Sequence, residues 1–136
     1  DISKKVNEFD GGLLTLDYGY TSNKNKNTLQ SVKKHKYVDL FSTPYFSDIT
    51  SHLNFKLFHE ILLKNNLNVK KITTQSEFLR KVGIVERADI LSKKMTFKEK
   101  TSMFFRVKRL IDYKEMGSLF KVLFAQKKGT NFSLGF

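Results

Sequence analysis

The chain has 136 residues, 40% of them hydrophobic and thirteen of them phenylalanine, enough apolar side chain to close one compact core. Its formal net charge of +12 admits an anionic partner, while the lack of cysteine excludes disulfides and thiolate metal sites. His35, His52 and His59 have no metal-ligand spacing, and no apolar run approaches the roughly 20 residues of a membrane span, so a soluble, intracellular, metal-free chain is expected.

The first clear element lies in GGLLTLDYGY, residues 11–20. An apolar run this short beside a glycine pair predicts a buried strand over residues 12–17, with Asp17 at its end and a turn at Tyr18-Gly19-Tyr20. Carboxyl ends of strands in open α/β sheets border ligand crevices, which makes Asp17, Tyr18 and Gly19 candidate site residues. The competing reading is an aspartate that hydrogen-bonds its own turn.

Residues 21–27 carry no apolar side chain and are expected to form a mobile surface loop. Residues 28–38 fit neither the helical nor the strand period. Phe41 to Asp48 contains the sole proline, Pro44, and reads as an ordered loop anchored by its aromatics.

Phe55, Phe58, Ile61 and Leu62 recur at helical spacing behind Asn54, a good N-cap, which predicts a helix to about Asn65. Leu67, Val69 and Ile72 predict a strand over 67–73. Thr74 and Glu77 have capping-box spacing and open a helix that Gly83 stops, and a short helix follows over 86–93. A second box, Thr96 and Glu99, opens a longer helix whose apolar face is Met103, Phe104, Val107, Leu110 and Ile111, ending near Gly117. Residues 118–126, apolar on both alternating faces except for Lys121, read as an interior strand. Strands separated by helices predict an α/β layer structure. Three strands fall short of an ordinary sheet, so further strands are expected before residue 1.

In order and spacing, GGLLTLDYGY, NTLQSVKKHKYVDL, SDITSHLNF, TTQSEFLRKVGI, RVKRLI and MGSLFKVLFAQ together resemble the carboxyl-terminal half of the MidA-like methyltransferases. That family includes the mitochondrial protein arginine methyltransferase that assists assembly of respiratory complex I. The resemblance implies a Rossmann-like class I methyltransferase sheet, with residues 12–17 as its fifth strand, 67–73 as its sixth and 118–126 as an antiparallel seventh between them. It implies S-adenosyl-L-methionine as cofactor, a protein substrate such as a complex I subunit, and a location in the bacterial cytoplasm or the mitochondrial matrix. The family's glycine-rich cofactor turn has no counterpart in this sequence, so the cofactor-binding part is expected before residue 1 and this chain alone is expected to be inactive. Two departures stand out: Tyr45 replaces the family's glycine after Pro44, and Asn54 replaces an aspartate cap.

If the acceptor is a guanidinium, carboxylates are its natural clamp, which assigns Asp17 and Asp48 to the acceptor site. His52 is a candidate base or polar contact, with a histidine packed ahead of a helix as the alternative. Thr50 and Gln75 are candidate substrate hydrogen bonders, set against purely local roles. Two other classes compete. Lysines at 33, 34, 36, 93, 94, 127 and 128 suit a small basic nucleic-acid-binding module, and the loop around Phe46 suits a protein docking platform.

Overall fold

The structure is a computed structural model and describes residues 1–24 and 26–136. The expected loop at 21–27 therefore includes one position, residue 25, that lies outside the described residues. A short helix that the sequence reading leaves unassigned, α1 (Ile2–Glu8), leads into β1 (Gly12–Tyr20). The strand is longer than expected, and Tyr18-Gly19-Tyr20 continues it instead of forming a turn. Gly19 stays extended because β5 (Leu53–Asn54) pairs alongside it in parallel, with Gly19 opposite Leu53 and Tyr20 opposite Asn54.

Between these strands the unassigned stretch forms a hairpin, β2 (Gln30–Lys33) and β3 (Lys36–Val38). Lys34 and His35 turn it with φ of 49° and 61°, the left-handed pair that a two-residue hairpin loop requires. β4 (Asp48–Thr50) pairs antiparallel with β2 and completes a small sheet ordered β3-β2-β4. The intervening loop is not anchored by its aromatics: Phe41, Tyr45 and Phe46 are all exposed. The loop instead turns on hydrogen bonds to Asp39 and Thr43, its small polar residues.

α2 (Phe55–Lys64) starts at the expected cap, where the Asn54 side chain accepts from the Leu57 amide at 3.2 Å. The expected strand at 67–73 is two pieces, β6 (Leu67–Val69) and β7 (Thr73–Thr74). Both pair with β8 (Phe120–Lys127), Val69 opposite Ala125 and Thr73 opposite Val122, so one strand carries an extra residue in between. The interruption is a β-bulge, bridged by the Lys70 amide to the Phe124 carbonyl at 2.8 Å.

Both capping boxes form. Thr74 and Glu77 open α3 (Gln75–Lys81), and Thr96 and Glu99 open α5 (Phe97–Ile111). α4 (Ile84–Ser92) starts at Gly83, which holds φ of 85°, and α6 (Met116–Leu119) takes in Ser118 and Leu119, which the sequence reading gave to the start of the last strand.

β8 lies antiparallel between β1 and β6, in the order β5-β1-β8-β6, as its two apolar faces predict. Val122, Leu123, Ala125 and Gln126 are buried within it. The core gathers Val6, Phe55, Leu62, Leu67, Leu123 and Ala125, joining α1 and α2 to the sheet. Phe55 is wholly buried, a burial worth about 1.5–3 kcal/mol. On the edge of β1 away from β8, pairing among the described residues is confined to Gly19 and Tyr20, so most of that edge is open. No helix among the described residues is long and apolar enough to cross a membrane, and no group of three or more potential metal ligands occurs among them.

Candidate active site

Asp17 stands inside β1, opposite Lys121 of β8. Residues paired across an antiparallel ladder share a face, so Leu13, Thr15 and Asp17 stand with Ala125, Leu123 and Lys121. The first two pairs are apolar or small and lead into the core; the third carries charge out to the end of the sheet. Burial lowers the Lys121 ammonium below the ordinary lysine range, and the Glu77 carboxylate partly restores it. The ammonium donates to the Ser118 carbonyl and does not pair with Asp17.

The exposed Asp17 carboxylate is thus left without an ion pair among the described residues. One of its oxygens accepts from the Tyr18 amide at 2.7 Å, the local bond that the competing sequence reading expects. The same residue borders a cavity of about 380 Å³ with Ser51, His52, Leu53, Asn54, Leu57, Phe58 and Ile61. The start of α2 supplies the apolar floor, and the short turn before β5 supplies the polar rim. The His52 amide donates to the Thr28 hydroxyl at 2.9 Å, which fixes that turn against the segment leading into β2. The His52 ring stacks on Tyr18, centroids 6.1 Å apart and planes within 14°, while Tyr18 packs on Phe120 at 4.2 Å.

Asp17, Tyr18 and His52 are therefore brought together. Gly19 lies beside them, buried, and serves packing: a Cβ there would stand 2.3 Å from Cδ2 of Phe55. Thr50 and Asp48 belong to the small sheet, where the Thr50 hydroxyl accepts from the Gln30 side-chain amide at 3.1 Å. Gln75 is elsewhere. It is buried at the start of α3, and its amide donates to the Leu110 carbonyl at 2.8 Å, closing the end of α5. Neither Asp48 nor Gln75 borders the Asp17 cavity.

The sequence reading missed Ser51, Asn54 and Glu60. A neighbouring cavity of about 420 Å³, lined by Ser22, Asn23, Asn54, Lys56, Leu57 and Glu60, shares Asn54 and Leu57 with the first. Glu60 sits three residues past Leu57 on α2, a spacing that places it on the same helical face as the cavity rim, and that was the available signal.

Among the described residues there is no glycine-rich strand-turn-helix for a nucleotide-like cofactor. The chain's glycine pair opens a strand, and a Cβ on Gly12 would meet the Phe124 ring at 2.9 Å, so that glycine admits a neighbouring ring and not a ligand.

The family model described as "Putative S-adenosyl-L-methionine-dependent methyltransferase" matches residues 1–73. A Caenorhabditis elegans relative, the mitochondrial protein arginine methyltransferase NDUFAF7 homolog, is 30% identical over 86 residues, 63% of this chain and 20% of that protein. The Xenopus tropicalis mitochondrial protein arginine methyltransferase NDUFAF7 is 28% identical over 93 residues, 68% of this chain and 21% of that protein. The chain thus spans about one fifth of the length of these relatives. A crystal structure of an uncharacterized Burkholderia thailandensis protein superposes with a TM-score of 0.82 at 26% identity, covering 98% of this chain and 38% of that one. A second Burkholderia thailandensis structure, bound to S-adenosyl-homocysteine, gives a TM-score of 0.77 at 25% identity over 98% of this chain and 37% of that one. The mixed α/β fold is that of these two structures, and with the family match spanning more than half of its length the chain belongs to that S-adenosyl-L-methionine-dependent methyltransferase family.

Proposed function

We propose that this chain is the acceptor-side portion of a protein arginine methyltransferase connected with complex I assembly, working in the mitochondrial matrix or the bacterial cytoplasm. The names of the curated relatives support the arginine acceptor and the mitochondrial setting. The observation that carries the reading is the meeting of Asp17 and His52 on one cavity, with Asp17 free of any ion pair among the described residues. A carboxylate of this kind receives the paired N–H groups of a guanidinium and holds the cation in one plane. On this reading His52 takes the proton that the acceptor nitrogen must lose. Leu53, Leu57, Phe58 and Ile61 keep water from the bound side chain. Tyr18 holds the His52 ring in place, and Asp48 and Thr50 extend the acceptor surface along the small sheet. Gln75 fits this reading only as a support for α5.

Cofactor binding belongs, on this reading, to strands that continue the sheet beyond the open edge of β1. Isothermal titration of S-adenosyl-L-methionine into this 136-residue chain should give no detectable heat at concentrations that saturate the complete protein. In the complete protein, Asp17→Asn should lower methyl transfer to an arginine peptide by roughly 10²-fold or more while cofactor affinity stays within about twofold. Unchanged transfer by Asp17→Asn would remove the proposal.

A further inference from the structure

The helical layer formed by α3, α4 and α5 carries a surface that the acceptor cavity does not use. A groove of about 430 Å³ lies between these helices, lined by Arg80, Val85, Ala88, Phe104, Val107 and Ile111, with Lys108 and Asp112 at its margin. It continues into a second depression of about 440 Å³ along α5, which shares Phe104 and Lys108 and adds Phe97, Lys100 and Phe105. The two form one trough along the 15-residue helix Phe97–Ile111, about 20 Å long. Its phenylalanines face solvent: Phe97 is 86% exposed and Phe105 73% exposed. A stable soluble surface does not ordinarily leave so much ring area together, and such patches mark contact sites.

We propose that this trough binds an acidic amphipathic helix of a partner protein. Length and direction suit a helix, because the trough follows a helix axis and no strand borders it to accept an added strand. The floor between the helices is aliphatic at Val85, Ala88, Val107 and Ile111, which receives leucine-like anchors, and the rings of Phe97, Phe104 and Phe105 extend that apolar surface along α5. Charge decides the sign of the partner. Arg80, Lys100 and Lys108 stand at the rim against Asp112, and α5 adds Lys98, Arg106 and Arg109. The one acid of α5, Glu99, is engaged by the Thr96 amide and hydroxyl at 2.8 and 2.7 Å. Among the described residues the single ion pair joins Lys127 to Asp10, so none of these cations is ion-paired there. An acidic flank on the visiting helix would pair with them as its apolar stripe enters the trough. The inference is independent of the proposed methyl transfer, since it concerns binding alone.

The test is fluorescence anisotropy of a labelled peptide of about 16 residues, leucine at helical spacing and glutamate elsewhere, titrated with the complete protein that contains this chain. Saturable binding is expected, weakened at least about tenfold by the double change Lys100→Glu and Lys108→Glu and by a peptide with lysine for every glutamate. Because both lysines are at the surface, circular dichroism of the double variant should match the parent; Phe105→Ser gives a second, uncharged variant with the same expectation. Equal affinity for the two peptides, no saturation below about 1 mM, or displacement of the peptide by a single-stranded RNA oligonucleotide but not by unlabelled peptide would each overturn the proposal. Concentration-dependent dimerisation abolished by Phe105→Ser would overturn it as well, assigning the trough to a second copy.

Discussion

The Phe55 ring occupies the space that a side chain at position 19 would need: a Cβ on Gly19 would lie 2.3 Å from Cδ2 of Phe55 and 2.7 Å from the Leu53 carbonyl oxygen. This contact locks β1 to the start of α2 and thereby sets the cavity that Asp17 and His52 share. Phe55 is fully buried and Leu53 is a ladder partner, so neither has room to yield. Gly19→Ala should destabilise the chain by about 1–3 kcal/mol or more, read as a lower urea midpoint. A midpoint unchanged within error would show that the strand can shift away from the ring.

The end of α5 supplies a second case of side chains closing backbone valences. The Gln75 amide donates to the Leu110 carbonyl at 2.8 Å, and the Ser76 hydroxyl donates to the Ile111 carbonyl at 2.7 Å. Both side chains are buried and both carbonyls belong to the last turn, where no helical amide remains to serve them. Ser76→Ala should cost about 1–3 kcal/mol, the desolvation penalty of an orphaned carbonyl. Gln75→Ala should lower thermal stability in the same range while leaving the KM for an arginine peptide unchanged in the complete protein. A raised KM at full stability would return Gln75 to the acceptor site.

The parts of this architecture legible in the sequence are those whose physics is local. Thr74 with Glu77 and Thr96 with Glu99 announce their helices because each box needs residues three apart, and both boxes form. The doubly apolar pattern of residues 118–126 announces an interior strand for the same reason, and the strand forms over Phe120–Lys127. What escaped depends on distant partners. Gly19 reads as a turn glycine until Phe55 is seen against it, and the bulge at residues 70–72 exists only through pairing with β8. The β2–β3 hairpin was hidden because Lys34 and His35 take left-handed angles usually announced by asparagine or glycine. In the site, Asp17 and His52 border one cavity although Asp17 lies inside β1 and not at the strand end that the sequence suggested, whereas Gln75 reaches a carbonyl 35 residues away, a contact no spacing rule contains.

Acid should expose one of these local devices. Glu77 is held below the ordinary carboxylate value of 4.5 first by the Thr73 hydroxyl, at 2.6 Å, then by the Thr74 amide, at 3.0 Å. A folded-state value below the unfolded one means that the ionised form contributes stability above about pH 4.5, and that the contribution disappears as pH falls through the depressed value. Because Glu77 is exposed, solvent screening keeps the effect to roughly a few tenths of a kcal/mol. Glu77→Gln retains an acceptor for the Thr74 amide but removes the charge, so the variant's stability should change less than the parent's between pH 6 and pH 3, about the span of an ordinary carboxylate titration. Parallel denaturation curves for the two proteins across that range would contradict the assignment.

Tyr45 tests the loop that departs from the family pattern. Its φ of 70° lies in the left-handed region, at the position where the resemblance places a glycine, and its side chain is fully exposed. An L side chain in that conformation costs about 1–2 kcal/mol, while glycine has a larger unfolded-state entropy to lose, about 0.5–1 kcal/mol. The difference favours glycine, and no packed ring contact is given up. Tyr45→Gly should therefore raise stability by about 0.5 kcal/mol, and Tyr45→Ala, which keeps the strain, should leave the midpoint near that of the parent. Should both variants lose stability equally, the ring itself would be holding the loop, and backbone strain would not be the reason the family favours glycine there.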